Sequence, residues 1–254
     1  LRFSYGHFFQ MPPLYAMYSN SDWLISPNNY ATILGNPNLE AEKTVNYELG
    51  FWQEINRDMG VEVVLFYKDI YNLLSTKTIT TYNTVKYGLY SNKDYGNVRG
   101  LELVYDYNAG PISIVANYTF QYTRGIADSP TSSFSREGAN QDPITKLIPL
   151  NWDQRHTMNV TAGYNTKKYG ATLSVFYNSG SAYTFEPISE NPLANVNLLP
   201  NNSYKPSNYT INLSSYYNLF KTGSRITFEV YNLFDTLNEY GVNSQTGRAY
   251  SAIL

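Results

Sequence analysis

Residues 112–122 read Ile-Ser-Ile-Val-Ala-Asn-Tyr-Thr-Phe-Gln-Tyr, and this stretch decides the fold class. Every second residue from Ile112 to Tyr122 is apolar or aromatic, whereas the residues between them are mostly polar. Because side chains along a strand alternate between two faces, the stretch predicts a strand with one apolar face and one wetter face. Its length suits a bilayer crossing, whereas the strands of soluble sandwiches usually have about five or six residues.

The same pattern recurs along the chain, and we predict ten strands. They cover roughly residues 1–9, 43–55, 60–74, 92–108, 111–125, 152–165, 169–183, 206–219, 224–237 and 247–254. Tight turns follow the even-numbered strands, whereas long links rich in Asn, Ser and Pro follow the odd-numbered ones, at residues 10–42, 75–91, 126–151, 184–205 and 238–246. This arrangement is typical of an all-β, antiparallel up-and-down transmembrane β-barrel whose short turns lie in the periplasm.

The two faces of the predicted strands differ in the same way throughout. Outward positions carry Leu, Val, Ile, Tyr and Phe, and no charge falls in the middle of an outward face. A midplane Lys or Arg would cost roughly 2–4 kcal/mol, so the pattern fits lipid contact. The alternation turns a second set toward the lumen, where its members contact a plug or a permeating ligand or form a solvated wall: Glu48, Glu102, Asp106, Asn117, Gln121, Arg155, Asn159 and Glu229.

The composition agrees with a membrane barrel and excludes several classes of function. Only 15% of the residues are charged and 16% are aromatic, 26 of them tyrosine, a residue that suits the membrane interface. A net charge of -2 offers no basic surface for nucleic acid. The absence of cysteine removes disulfides, thiol nucleophiles and Cys-type metal sites. The mean hydropathy of -0.39 fits a barrel whose polar lumen offsets its apolar exterior.

Four segments of the chain resemble the TonB-dependent outer-membrane receptors. The stretch from Gly35 to Phe51 (GNPNLEAEKTVNYELGF) is similar to a loop-to-strand signature of that family. The others are Val98-Arg-Gly-Leu-Glu-Leu103, Trp152-Asp-Gln-Arg-His156 and Tyr231-Asn-Leu-Phe-Asp235 with the later Gly247-Arg248. They fall in the family's usual order and cover nearly the whole chain. The sequence departs from the family in having Ala41 where proline is frequent and in ending at Leu254 rather than at an aromatic residue.

The resemblance implies an architecture and a function. Residues 1–254 would be the C-terminal portion of a barrel domain, about ten of its 22 strands, with the plug and the first strands lying upstream. The whole protein would be an outer-membrane active transporter for a scarce ligand such as a ferric siderophore, a glycan or a cobalamin-like molecule. Its partners would be outer-membrane lipid, the TonB energy-transducing complex through the plug, and a surface lipoprotein, with no cofactor. The loop style and the richness in Asn and Tyr resemble Bacteroidetes members.

The sequence contains no catalytic constellation, and we expect no enzyme and no metal site. His7 and His156 lie on separate predicted strands, and His156 reads as a strand-end residue. The first long link is rich in aromatic residues that could stack on a ligand, pack the loop on itself or belong to the interfacial belt. The ones expected to contact a ligand are Tyr15, Tyr18, Trp23 and Tyr30.

Two alternatives share part of this pattern. A passive porin or barrel adhesin would have the same wall without a plug. A soluble all-β binding domain would instead pack its apolar faces on a second sheet. Burial of those faces in a compact soluble monomer would favour the second alternative.

Overall fold

Nine long antiparallel strands form one sheet in the computed structural model, which describes residues 1–19, 32–82, 86–190, 198–220, 223–239 and 241–250. The long strands are β1 (Arg2–Gln10), β3 (Glu42–Asn56), β4 (Met59–Thr80), β5 (Lys86–Ala109), β6 (Ile112–Gly125), β8 (His156–Asn165), β9 (Tyr169–Asn178), β12 (Asn208–Leu219) and β13 (Ser224–Val230). Each inner strand pairs with the long strand before it and the long strand after it, and β1 and β13 form the two edges of the described sheet. The sheet therefore has the predicted up-and-down order.

The remaining elements are short and lie in the long links. They are α1 (Leu14–Tyr18), β2 (Ile33–Leu34), α2 (Ser132–Gly138), β7 (Ile148–Pro149), β10 (Ala182–Tyr183), β11 (Ser203–Tyr204), β14 (Gly241–Val242) and β15 (Ala249–Tyr250). Of these, β2 pairs in parallel with β5, and β7 pairs with β6. Neither helix in the described ranges has the length and apolarity that a membrane crossing requires.

The strand register joins the apolar positions of neighbouring strands into one continuous surface, called here the outer face. Leu65 pairs with Leu101, and Leu101 pairs with Phe120. Farther along the sheet, Val160 pairs with Val175. Leu65 is 51% exposed, and in the part of the chain that the structure describes no second sheet covers the outer face. A soluble all-β domain would pack this face on a second sheet, so the exposed outer face argues against that alternative.

Tyrosines border the outer face at both ends. Toward the long loops, Tyr5, Tyr47 and Tyr67 form a row with ring centroids 5.1 Å and 6.4 Å apart. Near the short turns, Tyr164 stacks on Tyr169 at 6.1 Å. Along β9, the tyrosines at the two borders, Tyr169 and Tyr177, are eight residues apart, which corresponds to about 27 Å of strand. With the usual tilt this spans about 20 Å of height, close to the apolar band of an outer-membrane barrel.

A buried apolar cluster lies where the first long link meets the long-loop ends of β4 and β5. Ala16, Leu39, Leu74 and Tyr90 form this cluster, with Met17 and Ile33 packed against it. The first long link therefore packs on the ends of β4 and β5. These two strands run far past the predicted limits, to Thr80 and from Lys86, so most of the predicted link 75–91 is a strand extension. The alternating β-branched residues of 76–80 explain the extension.

The prediction for the last strand was wrong in the described residues. Ala249 and Tyr250 pair with β14 rather than with β13, so the main sheet contains nine of the ten predicted strands. The ninth strand also ends at Val230 instead of residue 237. Asn232 and Asp235 adopt positive φ angles of 52° and 49°, which turn the chain out of the sheet. Residues 251–254 lie outside the described ranges.

Gly100 is expected to tolerate no side chain. A Cβ there would lie 2.3 Å from the carbonyl oxygen of Phe120 and 2.6 Å from the ring of Phe66, which lies on the inner side of the wall. We expect Gly100→Ala to destabilise the barrel by about 1–3 kcal/mol, because backbone on the neighbouring strand must move. Urea titration of the protein folded in lipid measures this loss. Gly60→Ala is the control, since its nearest neighbour is the Trp52 ring at 3.7 Å. Equal effects of the two substitutions would contradict the steric explanation.

Candidate functional site

A buried carboxylate fixes the start of β8 at the long-loop end of the wall. Asp153 is 0% exposed, and one of its oxygens accepts a hydrogen bond of 2.7 Å from the amide of Thr123. Its other oxygen accepts bonds from Nε of Arg155 at 2.7 Å and from the hydroxyl of Tyr204 at 2.8 Å. We call these four residues the Asp153 cluster. Burial and the bond to Asp153 raise the pKa of the Tyr204 hydroxyl. The cluster ties three segments together: β6, the start of β8, and β11.

A cavity of about 310 Å³ lies between the first long link and the link after β6. Its floor includes Ile70 and Val98, which lie on the inner face, the side of the sheet opposite the outer face. Tyr15 and Trp152, which are 56% and 54% exposed, line it from the two links. Its polar lining consists mainly of Gln10, Glu42, Asp94, Asn97, Arg124, Asp128 and Ser129. Two aromatic rings over a set of carboxylates and amides can hold a small polar ligand.

A second cavity, of about 580 Å³, lies between α2 and the extension of β4 and β5. Its lining includes the cations Lys77, Lys93 and Arg136 together with the acids Asp94 and Glu137. Two of these groups are already engaged. Arg136 donates to the carbonyls of Asp142 and Leu198, and Glu137 accepts a hydrogen bond from the Thr78 hydroxyl. This cavity is therefore part of the packing between α2 and the hairpin.

Asp94 borders both cavities and is 5% exposed. Its Oδ1 finds no hydrogen-bond partner among the described residues, and neither does the hydroxyl of the buried Thr76, which lines the larger cavity as well. Burial raises the pKa of the Asp94 carboxyl, while the Ser75 hydroxyl and the Lys93 ammonium act in the opposite direction. Because the carboxyl is buried and one of its oxygens lacks a hydrogen-bond partner, its charged form is disfavoured.

The stability of the hairpin extension is expected to fall as pH rises. The folded pKa of Asp94 lies above its ordinary value of 3.8, so its contribution is fully present below that value and is lost as pH rises through the folded pKa. Asp94→Asn should remove this pH dependence and slow amide exchange in residues 76–80 at neutral pH. Hydrogen exchange of the protein between about pH 3 and about pH 7 measures both effects. Asp106→Asn, at an exposed inner-face position, is the control. An unchanged pH profile in Asp94→Asn would refute the assignment.

The register places seven of the eight predicted lumen residues on the face opposite the outer face. They are Glu48, Glu102, Asp106, Asn117, Gln121, Asn159 and Glu229. Asn117 of β6 and Asn159 of β8 are paired directly on neighbouring strands. Arg155 lies just before β8, and its guanidinium lies 4.0 Å from the ring centroid of Tyr122, an outer-face residue. It belongs to the Asp153 cluster rather than to a free lumen surface.

The four loop aromatics separate into two pairs. Tyr15 lines the smaller cavity and contacts Tyr90 at 5.9 Å, edge to face. Tyr18 ends α1 and is 60% exposed. Trp23 and Tyr30 lie outside the described residues. Ligand contact by these side chains therefore stays a prediction.

Sequence reasoning missed several residues that the structure brings together. Asp153 belongs to the Trp152–His156 segment, but only the fold shows that it is buried and hydrogen-bonded to Tyr204, far along the chain. Asp94 lies inside the predicted strand 92–108, but its burial depends on loop and helix packing that the strand pattern does not show. Trp152 precedes Asp153 in the chain, but that it lines the same cavity as Tyr15 follows from the packing of two loops.

Comparison with known proteins gives a family match. A family model described as "TonB dependent receptor-like, beta-barrel" matches residues 1–233. No curated protein matches the chain.

Solved structures share the fold at low sequence identity. The ferric-catecholate import receptor Fiu from Escherichia coli K12 aligns with a TM-score of 0.59 and 15% identity, over 98% of this chain and 30% of its own. The outer membrane transporter YddB from Escherichia coli gives a TM-score of 0.60 and 12% identity, over 85% and 32%. The ferripyoverdine receptor of Pseudomonas aeruginosa gives 0.59 and 15%, over 98% and 28%. The chain thus spans about a third of the length of these proteins.

Proposed function

Because this chain belongs to the TonB-dependent receptor-like β-barrel family, we propose that it is the C-terminal portion of the barrel of an outer-membrane active transporter. Membership places it in the outer membrane of Gram-negative bacteria and among transporters rather than enzymes. The proposed full-length protein carries a plug upstream of residue 1. It takes up a scarce ligand, such as a ferric siderophore, a glycan or a cobalamin-like molecule.

One observation carries the proposal: the continuous outer face, bordered by tyrosines at both ends. A sheet with this surface needs a lipid environment, because apolar side chains such as Leu49 (44% exposed) and Phe228 (61% exposed) would otherwise face water. All the long links leave the sheet at one end, where both cavities lie. This asymmetry fits a protein that meets its ligand on one side of a membrane.

Energy would reach the ligand through the upstream plug and the TonB complex. The inner face offers the plug a polar wall with exposed carboxylates such as Glu102 and Asp106. The ligand would first contact the smaller cavity, where Tyr15 and Trp152 supply rings and the neighbouring carboxylates and amides supply hydrogen bonds. A surface lipoprotein is a further proposed partner at the loop end.

Uptake by cells that express the full-length receptor tests the proposal. The probes are a radio-iron-loaded catecholate siderophore, cyanocobalamin and a labelled oligosaccharide, each measured with and without functional TonB. We expect one probe to accumulate only when both the receptor and TonB are present. Tyr15→Ala should weaken the uptake of that probe, whereas Phe220→Ala, at the short-turn end, should not.

Two outcomes would contradict the proposal. Accumulation that does not depend on TonB would indicate a passive porin. A receptor extracted from cells without detergent would exclude a lipid-facing wall.

Loss of uptake in Tyr15→Ala with normal surface expression would locate the ligand site at the smaller cavity.

A further inference from the structure

Three guanidinium groups surround the ring of Tyr122 near the long-loop end of the wall. The guanidinium carbons of Arg99, Arg124 and Arg155 lie 5.8, 6.0 and 4.0 Å from the ring centroid. Arg155 is neutralised by its ion pair with Asp153. Within the described ranges, no carboxylate lies at ion-pair distance from Arg99 or Arg124. The cluster therefore has two uncompensated positive charges.

These charges lie on the side of the wall that faces lipid. Arg99 pairs directly with Tyr122 on one neighbouring strand and with Tyr67 on the other, so the three side chains share the outer face. Arg124 follows Tyr122 by two residues on the same strand and also borders the smaller cavity. Its Nε is buried and has no hydrogen-bond partner among the described residues.

The cluster lies at the height of the membrane interface. Arg99 and Tyr122 are each about ten residues from the strand end at their short turn, and Tyr209 is similarly placed on β12. With strands tilted by about 40°, these residues stand at one level, which is the level of the tyrosines that border the apolar band. Lipid headgroups occupy that level.

We propose that Arg99 and Arg124, held beside the Tyr122 ring, bind the phosphate of a lipid headgroup in the outer leaflet. Guanidinium groups match phosphate oxygens with two parallel hydrogen bonds, and an aromatic face orients them. Asp69, an outer-face acid on the next strand, is not at ion-pair distance from either arginine, and its carboxylate instead accepts bonds from Asn97 at 3.0 Å and from Tyr95. The partner is a membrane lipid because the site opens onto the apolar face. The proposal does not depend on which ligand is transported.

The test compares lipid binding by the full-length receptor in nanodiscs. The probes are bisphosphorylated lipid A, enzymatically dephosphorylated lipid A and inorganic phosphate, with binding followed by native mass spectrometry. Replacing both arginines, as Arg99→Gln with Arg124→Gln, should weaken lipid A binding about thirtyfold, since each basic side chain near a charged membrane surface contributes about one kcal/mol. The double change Lys167→Gln with Lys168→Gln, at the short-turn end, should leave lipid A binding unaltered.

Three results would overturn the assignment. The first is an arginine variant that binds lipid A as tightly as the unaltered receptor. The second is dephosphorylated lipid A that binds as tightly as the phosphorylated form. The third is inorganic phosphate with an affinity like that of lipid A, which would make the free anion, and not a lipid, the ligand. Arg155 is left intact throughout, because its loss would disturb the Asp153 cluster.

Discussion

Replacement of Asp153 by alanine is expected to destabilise the long-loop end of the protein by about 3–5 kcal/mol, the usual cost of breaking a buried ion pair from one side. The substitution leaves the guanidinium of Arg155 unpaired and the amide of Thr123 without an acceptor. It also removes the acceptor of the Tyr204 hydroxyl, which links β11 to the wall. Because three segments meet at this carboxylate, the links around β7 and β11 should open together.

Limited proteolysis and hydrogen exchange of the full-length receptor measure this effect. Thr123 and residues near Tyr204 should exchange much faster in Asp153→Ala, while the amides of β9 near its short turn should be unaffected. Asp106→Ala is the matched control, because this exposed carboxylate has no buried partner in the described ranges. The double replacement Asp153→Leu with Arg155→Met should recover only part of the loss, since an apolar pair leaves no buried charge unpaired but the amide of Thr123 and the hydroxyl of Tyr204 still lack their acceptor. An Asp153→Ala protein as protected as Asp106→Ala would refute the role of the cluster.

The second large effect concerns the lipid surface. Leu173→Arg is expected to destabilise the folded barrel by about 2–4 kcal/mol, because Leu173 lies midway between Tyr169 and Tyr177 on the outer face. The neighbouring Ser174 points to the inner face, where Ser174→Arg should cost less than about 1 kcal/mol. Reversible urea titration of the full-length receptor in phospholipid vesicles measures both values. If the two substitutions cost the same, the assignment of faces would be incorrect.

The faces of the wall could be predicted from sequence because a strand has a period of two and neighbouring strands share a register. The alternate apolar positions from Ile112 to Tyr118 pair with apolar positions on both neighbouring strands, as Tyr118 does with Leu103 of β5 and with Met158 of β8. The family match confirms the fold class. The Bacteroidetes-like origin stays a prediction.

The loop end was harder to predict, because its structure depends on contacts between distant segments. The strand extensions to Thr80 and from Lys86 are stabilised by packing against the first long link. Arg155 was assigned to the lumen by counting along a strand that begins only at His156. Asn232 shows a third limit, since a positive φ at a non-glycine residue follows no simple pattern in the sequence.

The cluster of Ala16, Leu39, Leu74 and Tyr90 also bears on how the cell surface is recognised from outside. Because this part of the exterior is held by its own apolar packing, an antibody or phage protein that reaches it meets a fixed shape. A synthetic peptide covering residues 32–41 lacks the strands that give the segment that shape. Such a peptide should compete poorly for antibodies raised against whole bacteria, whereas the folded receptor should absorb them.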